Sequence, residues 1–252
     1  MKRKNMAAMV TSIALVGVVA VGGTLALLTS QANDLTNTFT VGKSYPDQAL
    51  ELREHDVTHE ADGDYVTKGQ QNWKVKLVDG KNVYTGIDYT DLFETNTVDK
   101  DPQFHLKPGS PASWIVAEIS KMDDGTNTVG NGVLKVTGLD DNASGKWYKY
   151  DADAAAEGDA EFDDVFIPVT SAEQITNGLY IYYDKIAADG TTLPLFDQLT
   201  VQKAANGLTT NNQMVIKGVA VAALADDQYD TLQEAAFSAI EAANGVLNSS
   251  AD

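Results

Sequence analysis

His55-Asp56-Val57-Thr58-His59 places two histidines four residues apart. Zinc proteases of the common type need His-Glu-x-x-His on a helix, with both rings on one face and Glu as base. The spacing matches, but Asp stands where Glu is needed and is one methylene shorter. Val57 and Thr58 favour a strand, on which residues i and i+4 share a face but lie about 13 Å apart, too far to chelate one ion. His105, the third histidine, has no motif around it. The expectation is solvated strand-edge histidines. No Gly-x-Ser-x-Gly elbow offers a hydrolase nucleophile, and zero cysteines exclude a catalytic thiol or Cys-based metal site. Nothing singles out a catalytic residue, and the chain reads as a non-enzyme.

Calcium is the metal these residue types suit better. Asp123-Asp124-Gly125, Asp140-Asp141-Asn142 and Asp151-x-Asp153 are oxygen-rich turns, apt for a hard cation. None fits the EF-hand loop, and Asp also favours turns for backbone reasons alone. The expectation is no obligatory cofactor, with Asp123, Asp124, Asp140, Asp141, Asp151 and Asp153 as calcium ligands if a site exists. The aromatic runs Trp147-Tyr148-Tyr150 and Tyr180-Tyr182-Tyr183 could form a sugar-stacking face, although aromatics on strands more often serve as core or cross-strand pairs.

The elements that must carry these residues are mostly strands. Trp73-Lys74-Val75-Lys76-Leu77 alternates with period two, predicting a half-buried strand; Asp79-Gly80 turns it into a hairpin with Val83-Tyr84-Thr85. Trp114 to Ile119 is continuously apolar and suits a central strand. Further strands are predicted at 49–58, 133–137, 146–150, 165–169, 179–183, 195–201 and 214–224, with Asp-Gly, Asn-Gly and Asp-Asp turns between them. This pattern predicts an all-β, jelly-roll-like β-sandwich over residues 46–252. One helix is expected near 229–244, with Leu232, Ala236, Ala239, Ile240 and Ala243 on one face, a stop at Asn244-Gly245, and packing across one end of the sandwich. Residues 151–164 read as an exposed loop.

Residues 1–26 read as a secretion signal. Met1-Lys2-Arg3-Lys4 is cationic, an apolar run follows, and Gly22-Gly23-Thr24-Leu25-Ala26 ends it in small residues. Cleavage after Ala26 puts Thr24 and Ala26 at the −3 and −1 positions and makes Leu27 the new N-terminus. The chain carries a net charge of −18; the signal holds three cations and no acids, so the exported part stands near −21. That charge disfavours nucleic acid and anionic lipid, leaving no membrane contact after cleavage, and self-repulsion holds copies apart. Segment 27–45 contains Leu35, Asn37, Phe39 and Val41, which share one face of a strand. That strand could pair within its own sheet or complete a neighbour's by strand addition.

Gly22-Gly23-Thr24-Leu25-Ala26-Leu27-Leu28-Thr29, followed by Asn37-Thr38-Phe39-Thr40-Val41-Gly42, resembles the start of the TasA/camelysin family. Leu27-Leu28 replaces the family's more usual aromatic. Lys100-Asp101-Pro102 with Gly109 and Trp114-Ile115-Val116, and the closing strand and helix, resemble later family features more weakly. The resemblance implies a SipW-type signal peptidase, and a secreted jelly-roll subunit of Gram-positive biofilm matrix or surface fibres. It implies assembly with itself or related matrix proteins by donation of the N-terminal strand around Leu35, Asn37, Phe39 and Val41. Two other classes stay open: a monomeric cell-surface adhesin or carbohydrate-binding module, and a secreted metalloprotease, as the camelysin branch is classified.

Overall fold

The computed structural model describes residues 29–31, 45–46, 49–87, 89, 93, 95–120, 134–156, 161–201, 214–223 and 231–249. Its centre is the strand β9 (Ser113–Ser120). Ile115, Ala117 and Ile119 point into one buried cluster, Trp114 and Val116 into another. Apolar residues on both faces explain why the continuous run Trp114–Ile119 forms an interior strand.

In chain order the other strands are β1 (Thr29–Gln31), β2 (Leu50–Arg53), β3 (Val57–His59), β4 (Tyr65–Thr67), β5 (Val75–Val78), β6 (Lys81–Tyr84), β7 (Thr97–Asp99) and β8 (Gln103–Leu106). After β9 come β10 (Leu134–Gly138), β11 (Trp147–Tyr150), β12 (Phe166–Pro168), β13 (Gly178–Tyr182), β14 (Gln198–Val201) and β15 (Val215–Ala222). They form a six-stranded sheet, β1-β15-β9-β13-β11-β12, a five-stranded sheet, β10-β14-β7-β4-β3, and the pairs β2-β8 and β5-β6. The β4–β7 contact is parallel; the other pairings are antiparallel. The described chain is therefore predominantly β, in several sheets.

Two apolar layers hold it together. Trp147, Tyr180 and Tyr182 from the six-stranded sheet meet Val98, Val136 and Leu199 from the five-stranded sheet, with Leu50, Phe104 and Leu106 of β2–β8 in the same cluster. Gly218 in β15 makes this fit possible: a Cβ there would lie 2.1 Å from Phe104 Cε1. The other face of the six-stranded sheet presents Val116, Phe166, Ile181, Val219 and Val221 to a helix, α3 (Leu232–Ser249). Leu232, Ala236, Ala239, Ile240 and Ala243 all lie in that contact, as their spacing predicts. Five alanines (Ala235 and Ala242 among them) let the helix lie close to the sheet.

The position of α3 corrects the expected one. It covers a sheet face, not an end, because Val219 and Val221 would otherwise face water. It also runs through Asn244-Gly245. Leu247, buried on the same face, stabilises an extra turn by about 1.5–3 kcal/mol, which exceeds the roughly 1 kcal/mol cost of an interior glycine. Residues 151–164 differ too. Asp151 caps a one-turn helix, α1 (Ala152–Ala155), and Glu161 and Asp164 form a capping box on α2 (Phe162–Val165).

The Asp79-Gly80 turn forms as expected, with both residues at positive φ (49° and 77°), the requirement of a tight two-residue hairpin. The half-burial expected of its strands does not. β5 is exposed along its whole length, and Leu77 is 70% exposed. Among the described strands β5 and β6 pair only with each other, and neither large sheet includes them.

Candidate functional site

At one edge of the six-stranded sheet, β1 pairs with β15 as Thr29↔Val221, Ser30↔Ala220 and Gln31↔Val219. On its other side β15 pairs with β9 along all eight residues, from Val215 to Ala222. Among the described strands, Val215 to Gly218 therefore have no partner on the β1 side. The strand that covers this edge is three residues long and starts two residues after Leu27. Thr24, Ala26 and Leu27 of the expected cleavage point, and Leu35, Asn37, Phe39 and Val41 of the expected donor strand, lie outside the described residues, as do Asp123 and Asp124.

The second feature is a clamp of charged side chains built on Lys100-Asp101-Pro102. Lys100 Nζ bonds Glu54 Oε1 in a buried ion pair. The other Glu54 oxygen is buried without a partner. Asp101 accepts the His55 backbone N–H at 2.9 Å, Gln103 Nε2 at 3.0 Å, and His55 Nδ1–H. His55 Nε2 lies 3.0 Å from the Gln70 carbonyl. Each ring nitrogen thus lies against an oxygen acceptor, the Asp101 carboxylate on one side and the Gln70 carbonyl on the other. Trp73 stacks on the ring at 4.0 Å. Nearby, burial would raise the Asp56 carboxyl, but hydrogen bonds from Lys68 at 2.6 Å and Lys74 at 3.2 Å outweigh it and hold it below the usual range. The clamp joins the β2–β3 connection to the β7–β8 connection.

This corrects the histidine expectation. His55 is 3% and His105 6% exposed, and only His59, stacked on Tyr65 at 4.4 Å, sits at the surface. Burial was not legible because Asp101 lies 46 residues from His55. A His–Asp pair resembles two-thirds of a hydrolytic triad. Here the third partner is a carbonyl, which has no proton to give up, so the pair has no nucleophile to activate. His105 Nδ1 lies 2.9 Å from Thr191 Oγ1, but the two residues also form an antiparallel bridge, so this is a cross-strand pair. Burial, with Arg53 second, pushes the His105 imidazole down.

The aspartate turns serve the backbone. Asp140 Oδ1 accepts from Asn142 N and Nδ2 at 2.7 and 2.9 Å. Asp151 Oδ1 accepts from the amides of Asp153 and Ala154, both at 3.1 Å. Asp141 and Asp153 are exposed. Among the described residues, no three His or carboxylate side chains come together as a metal site.

The aromatic strands divide between the two faces. Trp147, Tyr180 and Tyr182 are core, and each polar atom is used: Trp147 Nε1 donates to Leu193 O at 3.1 Å, Tyr180 Oη to Thr176 O at 2.7 Å, and Tyr182 Oη accepts from Leu193 N at 3.3 Å. Tyr148 and Tyr150 are half-buried against the second cluster on the opposite face, and Tyr183 is exposed, with Tyr148 and Tyr183 near-parallel at 6.2 Å. No helix among the described residues is long and apolar enough to cross a membrane.

No family model matches the chain, and no curated protein and no solved structure does either.

Proposed function

We propose that this protein is a secreted structural subunit of an extracellular matrix or surface fibre, of the TasA/camelysin kind, with a jelly-roll-like core. Copies join by exchange of the N-terminal strand. The observation that supports the reading is the β15 edge, which, among the described strands, a three-residue, wholly polar strand covers over less than half its length. An incoming strand from Leu35 to Val41 has seven residues, three of them large and apolar. Replacing β1, it would extend the ladder over Val215 to Gly218. Each added backbone hydrogen bond contributes about 1 kcal/mol net, and each buried Leu, Phe or Val about 1.5–3 kcal/mol. Exchange therefore gains ladder and apolar burial that the chain's own β1 does not supply.

On this reading, removal of residues 1–26 frees the segment that is exchanged, and the negative charge keeps free subunits apart until salt or acid screens or neutralises it. The test is deletion of residues 27–38, with folding followed by circular dichroism and assembly by electron microscopy. The reading expects a folded chain that makes no filaments. Filaments from the deleted chain would refute it.

A further inference from the structure

The β5–β6 ribbon stands apart from both large sheets. Its cross-strand pairs are Val75↔Tyr84, Lys76↔Val83, Leu77↔Asn82 and Val78↔Lys81, so one face carries Lys76, Val78, Lys81 and Val83. All four are exposed. Neither Lys76 nor Lys81 has an ion pair among the described residues, whereas Lys68 and Lys74 at the base of the ribbon are both held by Asp56. A free two-stranded ribbon is marginal in water, and exposed clustered valines mark a contact surface. Among the described residues it is held at its base, where the Arg53 guanidinium lies 4.4 Å over Tyr84.

A surface of complementary character lies at the far end of the six-stranded sheet, on the side that α3 covers. Phe166, fully buried, stacks on Phe162 at 4.8 Å and meets Phe237 edge-on at 5.0 Å; Phe162 continues to Tyr148 at 5.7 Å, and Tyr148 to Tyr183 at 6.2 Å. Phe237 and Tyr183 are exposed, Tyr148 and Phe162 half-buried. Asp163 and Asp184, both exposed and outside any ion pair among the described residues, form the rim. Burial, then Tyr183 and Asp163, raises the Tyr148 hydroxyl. Lys146 and Lys185 stand nearby, over Tyr183 at 5.0 Å and Trp114 at 5.9 Å.

We propose that the Lys76–Val78–Lys81–Val83 face of one copy docks on the Tyr148–Phe162–Tyr183–Phe237 patch of a second copy, with Asp163 and Asp184 receiving the lysines. A second copy is the occupant because the charges match. Two lysines outside any ion pair among the described residues lie on the ribbon of a chain of net charge −18, and the patch offers them carboxylates around an apolar floor. The ribbon adjoins β2, which packs inside β15, while the patch lies at β11–β12; four strand spacings separate β15 from β12, about 19 Å. One chain cannot bring its own two surfaces together, so the contact is head-to-tail between copies. The proposal builds on the fibre reading but uses surfaces that strand exchange leaves free.

Two charge-reversed variants test it: Lys76→Glu with Lys81→Glu, and Asp163→Lys with Asp184→Lys. All four positions are exposed, and circular dichroism checks that each variant is folded. Sedimentation velocity at about 150 mM salt, where the screening length is about 8 Å, should show wild-type mass rising with concentration. Each variant alone should associate at least about 100-fold more weakly, since like charges then meet across the contact. An equimolar mixture of the two should recover association, because every hairpin then finds a patch of opposite charge. A monomeric wild type, variants that associate normally, or a mixture that recovers nothing would each overturn the proposal. Electron micrographs of the same samples separate it from the fibre reading: charge-dependent pairing without fibres would sink the fibre reading alone.

Discussion

Asp101→Asn is the substitution that should most clearly reveal what holds the β2–β3 and β7–β8 connections together. In the native chain Asp101 accepts three hydrogen bonds, two of them from His55. Asparagine keeps one oxygen for the His55 amide but turns an N–H pair toward His55 Nδ1–H and Gln103 Nε2, so donors meet donors. A hydrogen bond to a charged group contributes about 1.5–3 kcal/mol, and leaving a buried donor without its partner costs about 1–3 kcal/mol more. His55 is 3% exposed but Asp101 17%, which puts the expected loss at the lower end, about 3 kcal/mol. For a domain of this size that lowers Tm by roughly 6–12 °C. Urea titration followed by tryptophan fluorescence measures it directly, because Trp73 lies on the His55 ring. Asp56→Asn is the control: its lysine partners are 43% and 35% exposed, and surface pairs contribute under about 1 kcal/mol. If Asp101→Asn costs no more than Asp56→Asn, the clamp is not a stabilising feature and the reasoning fails.

Other outcomes follow from the same contacts. Gly218→Val should destabilise by about 1–3 kcal/mol through overpacking, and Phe104→Leu in the same chain should recover part of that loss; the pair forms a double-mutant cycle in urea. Leu247→Ala should cost about 2–4 kcal/mol and shorten α3, read as reduced helical circular dichroism; no change would mean that the last turn does not pack. Burial, reinforced by Asp140, raises the Asp197 carboxyl. A raised carboxyl makes the native state bind protons that the unfolded chain has released, so this contribution is full below about pH 4 and is lost as pH rises through the native value. Asp197→Asn should therefore gain on wild type as pH is raised from 4 to 7, and a constant difference would contradict the assignment.

The sequence carried the elements whose signal is local. Trp114 to Ile119 is apolar at every second and every intervening position but one, which reads directly as a strand buried on both faces. Asp79-Gly80 announces its turn because only such residues take two positive φ values cheaply. The helical face from Leu232 to Ala243 needs only spacing. What was not legible depends on partners far along the chain. His55 reads as a surface residue until Asp101 and Gln70 are brought to its two nitrogens. Alternation in Trp73–Leu77 predicts a half-buried strand, but burial needs a second layer, and among the described strands neither large sheet includes the ribbon. Asn244-Gly245 is a good stop in isolation; Leu247 on the sheet overrides it. Of the aromatic runs, alternation separates Trp147, Tyr180 and Tyr182 from Tyr148 and Tyr183, yet which set faces the core is decided by the five-stranded sheet opposite. The proposed strand exchange rests in the sequence only on a resemblance around Gly22–Gly42.

The most direct test of that account uses the absence of native cysteines. Ser30 and Ala220 are directly paired across β1 and β15, and paired antiparallel Cα atoms lie about 4.5–5.5 Å apart, within disulfide reach. Ser30→Cys with Ala220→Cys should therefore lock β1 onto its own sheet when oxidised and release it when reduced. The account predicts no fibres in oxidant, and fibres in electron micrographs once reductant is added. Equal fibre formation in both conditions would contradict it.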